Sequence, residues 1–299
     1  MPLTRAQIEY ELWPGLDDVM GAYETYPDEW KQIYNVKTSK KAYEKISQPK
    51  LLGYAQPVAE GEQIPTDDGM GDQYITQFTH RKYGLKFSIT EEAQDDNLYK
   101  SEFPQNTLAL KQSLSTTKNT LAGLYLTNGF AGGTSIVSDG LTLFNTAHPY
   151  DGGVNSNVVS GDLSEATLNA AQILAANFRS PSGIPIAGTL RKLIVGPENW
   201  FAAKKLTESQ FEPSSANNAI NAAKGLLPEG FVMNHFISSV PNSRPWFILT
   251  NLPGMRLYQR MNVLYNIAQD PDNFNIKVSS RERYSLGCYD YRSIIGCQG

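Results

Sequence analysis

Residues Asp139 to Asn157 read DGLTLFNTAHPYDGGVNSN: a short alternating apolar run between turn formers, then one histidine, a proline and a Gly-Gly pair. Taken as a loop, the stretch presents His148 beside Asp151, which invites a catalytic or metal role. The structural alternative is that the imidazole satisfies loop carbonyls through its ring N–H groups while Pro149 stiffens the turn. A catalytic role needs a nucleophile or a metal partner, and the neighbouring residues point to neither. The rest of the chain has to decide between the two.

That chain has 299 residues, enough for one large domain or two moderate ones with real cores. Hydrophobic residues make up 40% and charged residues 19%, an ordinary globular balance on the low side in charge. The 16 tyrosines and 12 phenylalanines suit contacts between subunits, and equally the filling of a core. A net charge of −4 and the lack of a clustered Lys/Arg face of any length argue against a sequence reader of nucleic acid. Two cysteines, Cys288 and Cys297, form no CxxC pair, so disulfides are not the framework and a reducing compartment is expected. The segment MPLTRAQIEYELWPG lacks the apolar core of a signal peptide, and no apolar run approaches a membrane span. A soluble protein made in a cytoplasm is expected, with no membrane partner.

The first fifty residues are polar and broken. A short helix is predicted over Leu3–Leu12, ended by Pro14-Gly15, and a helical stretch through Trp30–Tyr34, followed by the basic run VKTSKKAYEK. This part reads either as an arm ordered by a neighbour or as a frayed terminus. From Leu51 to Thr90 the pattern is strand-like: Tyr74, Thr76 and Phe78 alternate with Ile75, Gln77 and Thr79, and Leu85, Phe87 and Ile89 continue at period two. The acidic, glycine-rich AEGEQIPTDDGMGD reads as the tip of a long hairpin that rests on a neighbour.

Leu110, Leu114, Thr117, Leu121 and Leu124 recur at helical spacing, with Pro104 near the start and Asn128-Gly129 as the stop. A second helix is predicted over Asp162–Arg179, with Asp162 and Glu165 at capping-box spacing. A strand at Leu190–Val195, a helix at Glu198–Leu206, a loop at Glu212–Gly225 and strands at Phe231–Ile237 and Trp246–Thr250 make the region mixed α/β. The last long element is a strand over Phe274–Tyr284, with Arg281 and Arg283 on its polar face.

Familiar chemistry is mostly missing. The three histidines, His80, His148 and His235, have no second His or Cys at ligand spacing. Asp270-Pro-Asp272 opens like a calcium loop but reaches Phe274 and Arg281 where oxygen ligands are required. No phosphate cradle or nucleophile elbow occurs, and Gly69-Met-Gly71 lacks a third glycine. The acids Glu60, Glu62, Asp67, Asp68 and Asp72 precede the bases His80, Arg81 and Lys82. They form either a solvated hairpin or a charged tongue laid on a neighbouring subunit, where complementary charge fixes register.

The order of elements is similar to that of tailed-bacteriophage major capsid proteins of the Hong Kong 97-like fold. FSITEEAQDDN at Phe87–Asn97, DGLTLFNTAHP at Asp139–Pro149 and LRKLIVGPENWFAAKKL at Leu190–Leu206 resemble segments of the Mu-like major head subunits. The resemblance runs from about residue 35 to the C-terminus. It implies an α+β fold with an N-terminal arm at 1–49, an E-loop hairpin at 50–90, a P-domain with a long spine helix at 91–160 and 258–290, and an A-domain at 161–257 and 291–299. It also implies a head protein that self-assembles as hexamers and pentamers into an icosahedral shell around double-stranded DNA held without sequence recognition. A separate scaffolding protein and a portal are implied partners, and assembly in the bacterial host cytoplasm is implied. Some relatives crosslink subunits through Lys and Asn, and no such pair is identified here. No catalytic residue, cofactor or metal is expected. The candidate intersubunit contacts are Glu60, Glu62, Asp67, Asp68, His80, Arg81 and Lys82. The alternatives are an encapsulin-like shell enclosing cargo, a hydrolase using His148 and Asp151, and a ring-forming tail or connector protein.

Overall fold

The computed structural model describes residues 27–50, 52–66, 71–95, 102–131, 135–211, 220–237 and 244–299. The strands are β1 (Asn35–Thr38), β2 (Tyr43–Lys50), β3 (Gly71–Thr79), β4 (Arg81–Ile89), β5 (His148–Tyr150), β6 (Gly153–Asn155), β7 (Val158–Val159), β8 (Leu190–Val195), β9 (Phe231–Met233), β10 (Trp246–Thr250), β11 (Met255–Gln269), β12 (Ile276–Cys288) and β13 (Ile294–Cys297). The helices are α1 (Glu91–Asp95), α2 (Glu102–Thr127), α3 (Glu165–Ala176) and α4 (Trp200–Glu208).

The leucine stripe of Leu110–Leu124 forms a helix as expected, and α2 runs 26 residues, about 39 Å at 1.5 Å per residue. It lies on a four-stranded sheet of order β1-β11-β12-β4, in which β1 is parallel to β11 and the other pairs are antiparallel. Leu110 meets Val278, with Phe87, Ile89, Tyr265, Ile267 and Ile276 around them. A single 3-10 turn, Glu29–Gln32, stands where a helical stretch through Tyr34 was expected. It seats Trp30 against α2, with Trp30 N–H donating to Asn119 Oδ1 at 3.2 Å. The predicted Leu3–Leu12 helix lies outside the described residues.

A second sheet has the order β7-β13-β10-β8-β9. Its central strands are buried on both faces, and their alternation feeds two cores. Trp246 and Ile248 of β10, Ile295 and Cys297 of β13, and Leu193 and Val195 of β8 pack beneath Leu168, Ala171 and Ala175 of α3 and Ala203 of α4. The opposite faces, Phe247, Ile294 and Ile194, join Ala122 and Leu126 of α2 and Leu257 and Tyr284 of the first sheet. Burying each such side chain is worth roughly 1.5–3 kcal/mol, so this shared layer ties the two sheets together.

Several expectations change in detail. The capping box of α3 is Ser164 with Thr167, not Asp162 with Glu165: Ser164 Oγ accepts from Thr167 N–H at 3.3 Å, and the Thr167 hydroxyl accepts from Ser164 N–H at 2.9 Å. Burial of Leu163 places the first turn two residues later than the acidic spacing suggested. β9 stops at Met233, because Asn234 Oδ1 accepts from Phe236 N–H and turns the chain. β12 starts at Ile276, because Phe274 adopts a left-handed φ of 56° in the turn from β11. Most of the predicted loop at Glu212–Gly225 lies outside the described residues.

The strands predicted at 74–79 and 85–89 both form, but not as one hairpin. β3 pairs with β2, of which only Tyr43–Lys45 fell in the basic run and none was read as a strand, whereas β4 pairs with β12. The projecting hairpin therefore spans Tyr43 to Thr79, and β4 belongs to the first sheet.

Candidate assembly surfaces

Asp139–Asn157 is an internal brace. Phe144 stacks on Phe130 and Phe247 at 4.5 and 5.2 Å between ring centres. Asn157 Nδ2 donates to the carbonyls of Leu143, Tyr291 and Ile294, so one side chain fastens this segment to β13 and the turn before it. His148 is 0% exposed and lies against Asp139, not Asp151, with Nδ1 at 2.5 Å from Asp139 Oδ2. Its ring stacks on Tyr291 at 3.7 Å. Burial above all pushes the Tyr291 phenol up to about 12. Asp151 is at the surface, paired with Lys50 at the end of β2. A buried imidazole sealed by an aromatic ring has no approach for a substrate, which removes the hydrolase alternative and also corrects the expected pairing with loop carbonyls.

A cleft of about 520 Å³ lies between the hairpin base, α2 and β12. The thiol along it, Cys288, is pushed up to about 12, chiefly by burial, so it is protonated and unreactive at neutral pH. No group of three metal-ligating side chains occurs among the described residues. No described helix is long and apolar enough to cross a membrane.

The surface features lie elsewhere. At the hairpin tip, Glu62 N–H donates to Ala59 O at 3.1 Å, and Gly61 supplies the φ of 84° that this turn requires. The turn displays Glu60 and Glu62 to solvent, with no ion pair among the described residues. Leu52, Tyr54, Val58 and Ile64 are exposed beside them, Ile64 to 78%. Asp67 and Asp68 lie outside the described residues. Arg81 and Lys82 are exposed, while His80 is buried. His80 Nδ1 is 2.9 Å from Ser285 Oγ and Nε2 is 3.2 Å from Ser39 Oγ, so it anchors the hairpin base. Burial first, then the nearby Arg283 charge, holds it below the usual histidine range.

Sequence reading placed Arg281 and Arg283 on a polar face but missed what lies beside them. The β12–β4 register sets Arg283 opposite Lys82 and Ser279 opposite Lys86, with Arg281 opposite Gly84. Val278 and Tyr284, of opposite parity, face the core. Lys82, Lys86, Arg281 and Arg283 thus share the sheet face away from α2. The signal was present as alternation in each strand, but only the pairing combines the two.

Two β sheets sharing one core, a long helix across the first and a hairpin with an apolar, acidic tip define a subunit built for assembly. A family profile described as phage capsid protein matches residues 73–296, and the chain belongs to that family. No curated protein sequence matches it. Among solved structures, it resembles the capsid of an empty GTA particle (TM-score 0.59, 10% identity, 91% of this chain and 89% of that one). It is also similar to the structure of Mycobacterium phage Che8 (0.55, 12%, 90% of each). A virus-like particle from Pyrococcus furiosus is a third likeness (0.51, 12%, 95% and 96%). The fold is the Hong Kong 97-like capsid fold, and the protein is a self-assembling shell subunit.

Proposed function

We propose that the chain is the major head protein of a tailed phage, forming hexamers and pentamers of an icosahedral shell around double-stranded DNA. The observation that carries this reading is the capsid family match together with a hairpin whose apolar and acidic tip is exposed among the described residues. In this reading Tyr43–Thr79 is the E-loop and α2 the spine helix of a P-domain containing the first sheet. The second sheet with α3 and α4 is the A-domain, and the residues before β1 are the N-terminal arm. The three quoted segments support the Mu-like subfamily. A separate scaffolding protein and a portal complete the assembly, and a mildly acidic wall lets packed DNA slide without gripping it.

Subunits meet head-to-tail, each hairpin reaching onto the next, so contacts are heterologous and close into rings. Glu60, Glu62, Asp67 and Asp68 belong to that tongue; Arg81 and Lys82 flank its base. A Glu60→Lys/Glu62→Lys subunit is expected to fold normally by circular dichroism yet fail to form shells in density gradients. Normal shells from this variant would reject the tongue. The contents of purified particles separate the head protein from a cargo-enclosing shell: DNA supports the former, a co-purifying enzyme the latter.

A further inference from the structure

We infer that the joint between the hairpin and the first sheet is a hinge pinned by the neutral imidazole of His80, and that a proton on this ring frees the hairpin to swing. The inference concerns the single subunit and holds whatever the hairpin tip touches, so it goes beyond the shell assignment.

Three observations carry it. First, the joint is narrow. β3 ends at Thr79 and β4 begins at Arg81, so His80 alone joins the hairpin to the first sheet on that side. On the other side residues 39–42 join β1 to β2. Ser39, the first of them, is fixed to β11 by its N–H, which donates to Gln259 O at 3.0 Å. The imidazole spans the joint, with Nε2 at 3.2 Å from Ser39 Oγ and Nδ1 at 2.9 Å from Ser285 Oγ of β12. All three residues are buried. One ring thus holds both hairpin strands where they leave the sheet.

Second, the surrounding hydrogen bonds fix the form of the ring. Ser39 Oγ donates its single proton to Glu44 Oε1 at 2.7 Å and accepts from Lys41 N–H at 3.1 Å. Toward His80 it can only accept, so Nε2 carries the ring's proton and Nδ1 accepts from the Ser285 hydroxyl. The neutral ring is satisfied at both nitrogens. A second proton, on Nδ1, meets the Ser285 hydroxyl proton and turns it away.

Third, the neighbours disfavour an imidazolium. Arg283 Nε of β12 donates to the His80 carbonyl at 3.4 Å, and Arg260 Nε of β11 donates to the Lys41 carbonyl at 3.0 Å. Arg81 follows directly in β4, and Tyr258 of β11 stands edge-on to the ring at 6.4 Å. Glu44 of β2 opposes them, but it also pairs with Lys41 at 3.6 Å. Its bond from Ser39 above all holds that carboxyl below the usual range, so it stays ionised at pH 5. Burial first, then Arg283, with Arg260 adding and Glu44 opposing, holds His80 below its ordinary range. Once the hairpin swings out, the ring returns to about 6.5. The swung-out form therefore binds the proton more readily. The pin is at full strength above about pH 6.5 and weakens as pH falls below it, by at most about ten-fold per pH unit for one proton.

The remaining ties contain no histidine: Phe78 packs edge-on to Tyr258 at 5.3 Å, and Lys50 pairs with Asp151 at the surface. The test uses the full chain with a donor–acceptor dye pair on Gln63→Cys and Gln112→Cys, both exposed positions, one at the hairpin tip and one on α2. Both native cysteines are buried and escape labelling. Energy transfer is followed from pH 7.5 to 5.0, with fold checked by circular dichroism. The parent is expected to hold one hairpin position at pH 7.5 and to gain a second below about pH 6.5, several-fold more populated at pH 5.0. His80→Gln keeps an N–H for Ser39 and a carbonyl for the Ser285 hydroxyl but takes no proton, so its hairpin position is expected not to depend on pH. Ser39→Ala removes one side of the pin and is expected to populate the second position already at pH 7.5. A parent whose hairpin position is the same at both pH values overturns the inference. A folded His80→Gln chain that responds as the parent does overturns it too, because another group is then the sensor. A Ser39→Ala chain as fixed as the parent at pH 7.5 overturns the pin itself.

Discussion

A Lys118→Met subunit is expected to lose about 3–5 kcal/mol of folding stability, the usual cost of stranding one partner of a buried ion pair. Lys118 Nζ lies 2.5 Å from Glu282 Oε2, and both side chains are under 10% exposed. The ammonium also donates to Gln259 Oε1 at 3.1 Å and stands over the rings of Trp30 and Tyr284, at 4.9 and 4.6 Å from their centres. One side chain on α2 thereby gathers the 3-10 turn, β11 and β12. Methionine fills similar volume without the charge, so the loss reports, more than a cavity, a buried Glu282 carboxylate without its counter-charge, though Gln259 Nε2 still donates to it at 3.4 Å. Lys118→Met with Glu282→Leu removes both charges and is expected to regain most of the stability. Urea denaturation of unassembled subunit measures both. A loss below about 1 kcal/mol for the single variant would show that water reaches the pair, as at a surface salt bridge.

Gly123→Ala is expected to destabilise, and here the sign carries the information. Helix propensity alone favours alanine over glycine by about 1 kcal/mol in mid-helix. Gly123, however, lies where α2 crosses the segment after β9: an added Cβ would be 2.7 Å from the Phe236 carbonyl carbon and 3.1 Å from its Cβ. Both are backbone-anchored and cannot swing away. Overpacking of this kind costs about 1–3 kcal/mol, and Gly123→Val should cost more. The consequence reaches assembly, because the approach fixes how α2 and the second sheet meet, through Ile237 beside Leu126 and Phe247 in the shared core. Thermal unfolding of the two variants checks the order. A more stable alanine variant would mean the crossing is looser than described.

The elements legible in the sequence were those whose pattern is local. The leucine stripe of α2, the apolar runs of β8 and β10, and the alternation of β12 needed no knowledge of partners. β11, at 15 residues the longest strand described, was missed because it carries two register shifts, between Gln259 and Met261 and between Met261 and Leu264. Each bulge moves the following side chains to the other face, so Leu257 and Tyr265 point inward while Met261 and Leu264 point outward, and no single period of two survives. β13 was missed for the opposite reason: Ile294–Cys297 is buried throughout, and four continuous apolar residues carry no periodicity.

The surfaces were legible only in halves. Glu60 and Glu62 stood out as acids in a glycine-rich tip, and Arg281 and Arg283 as the polar side of a strand. Joining Lys82 and Lys86 to those arginines required the β4–β12 register, roughly two hundred residues apart in the chain. His80 looked like part of a charged set and is instead a buried anchor, because Ser39 and Ser285, distant in sequence, bracket its ring. His148 invited a catalytic alternative because Asp151 is near in sequence, whereas its carboxylate partner is Asp139.

Electron microscopy of the purified full-length chain, with its native mass measured alongside, tests the shell assignment most directly. Closed icosahedral particles, or hexamers and pentamers that convert to them, are the predicted result. Rings of one fixed, modest mass that never close into shells would contradict it.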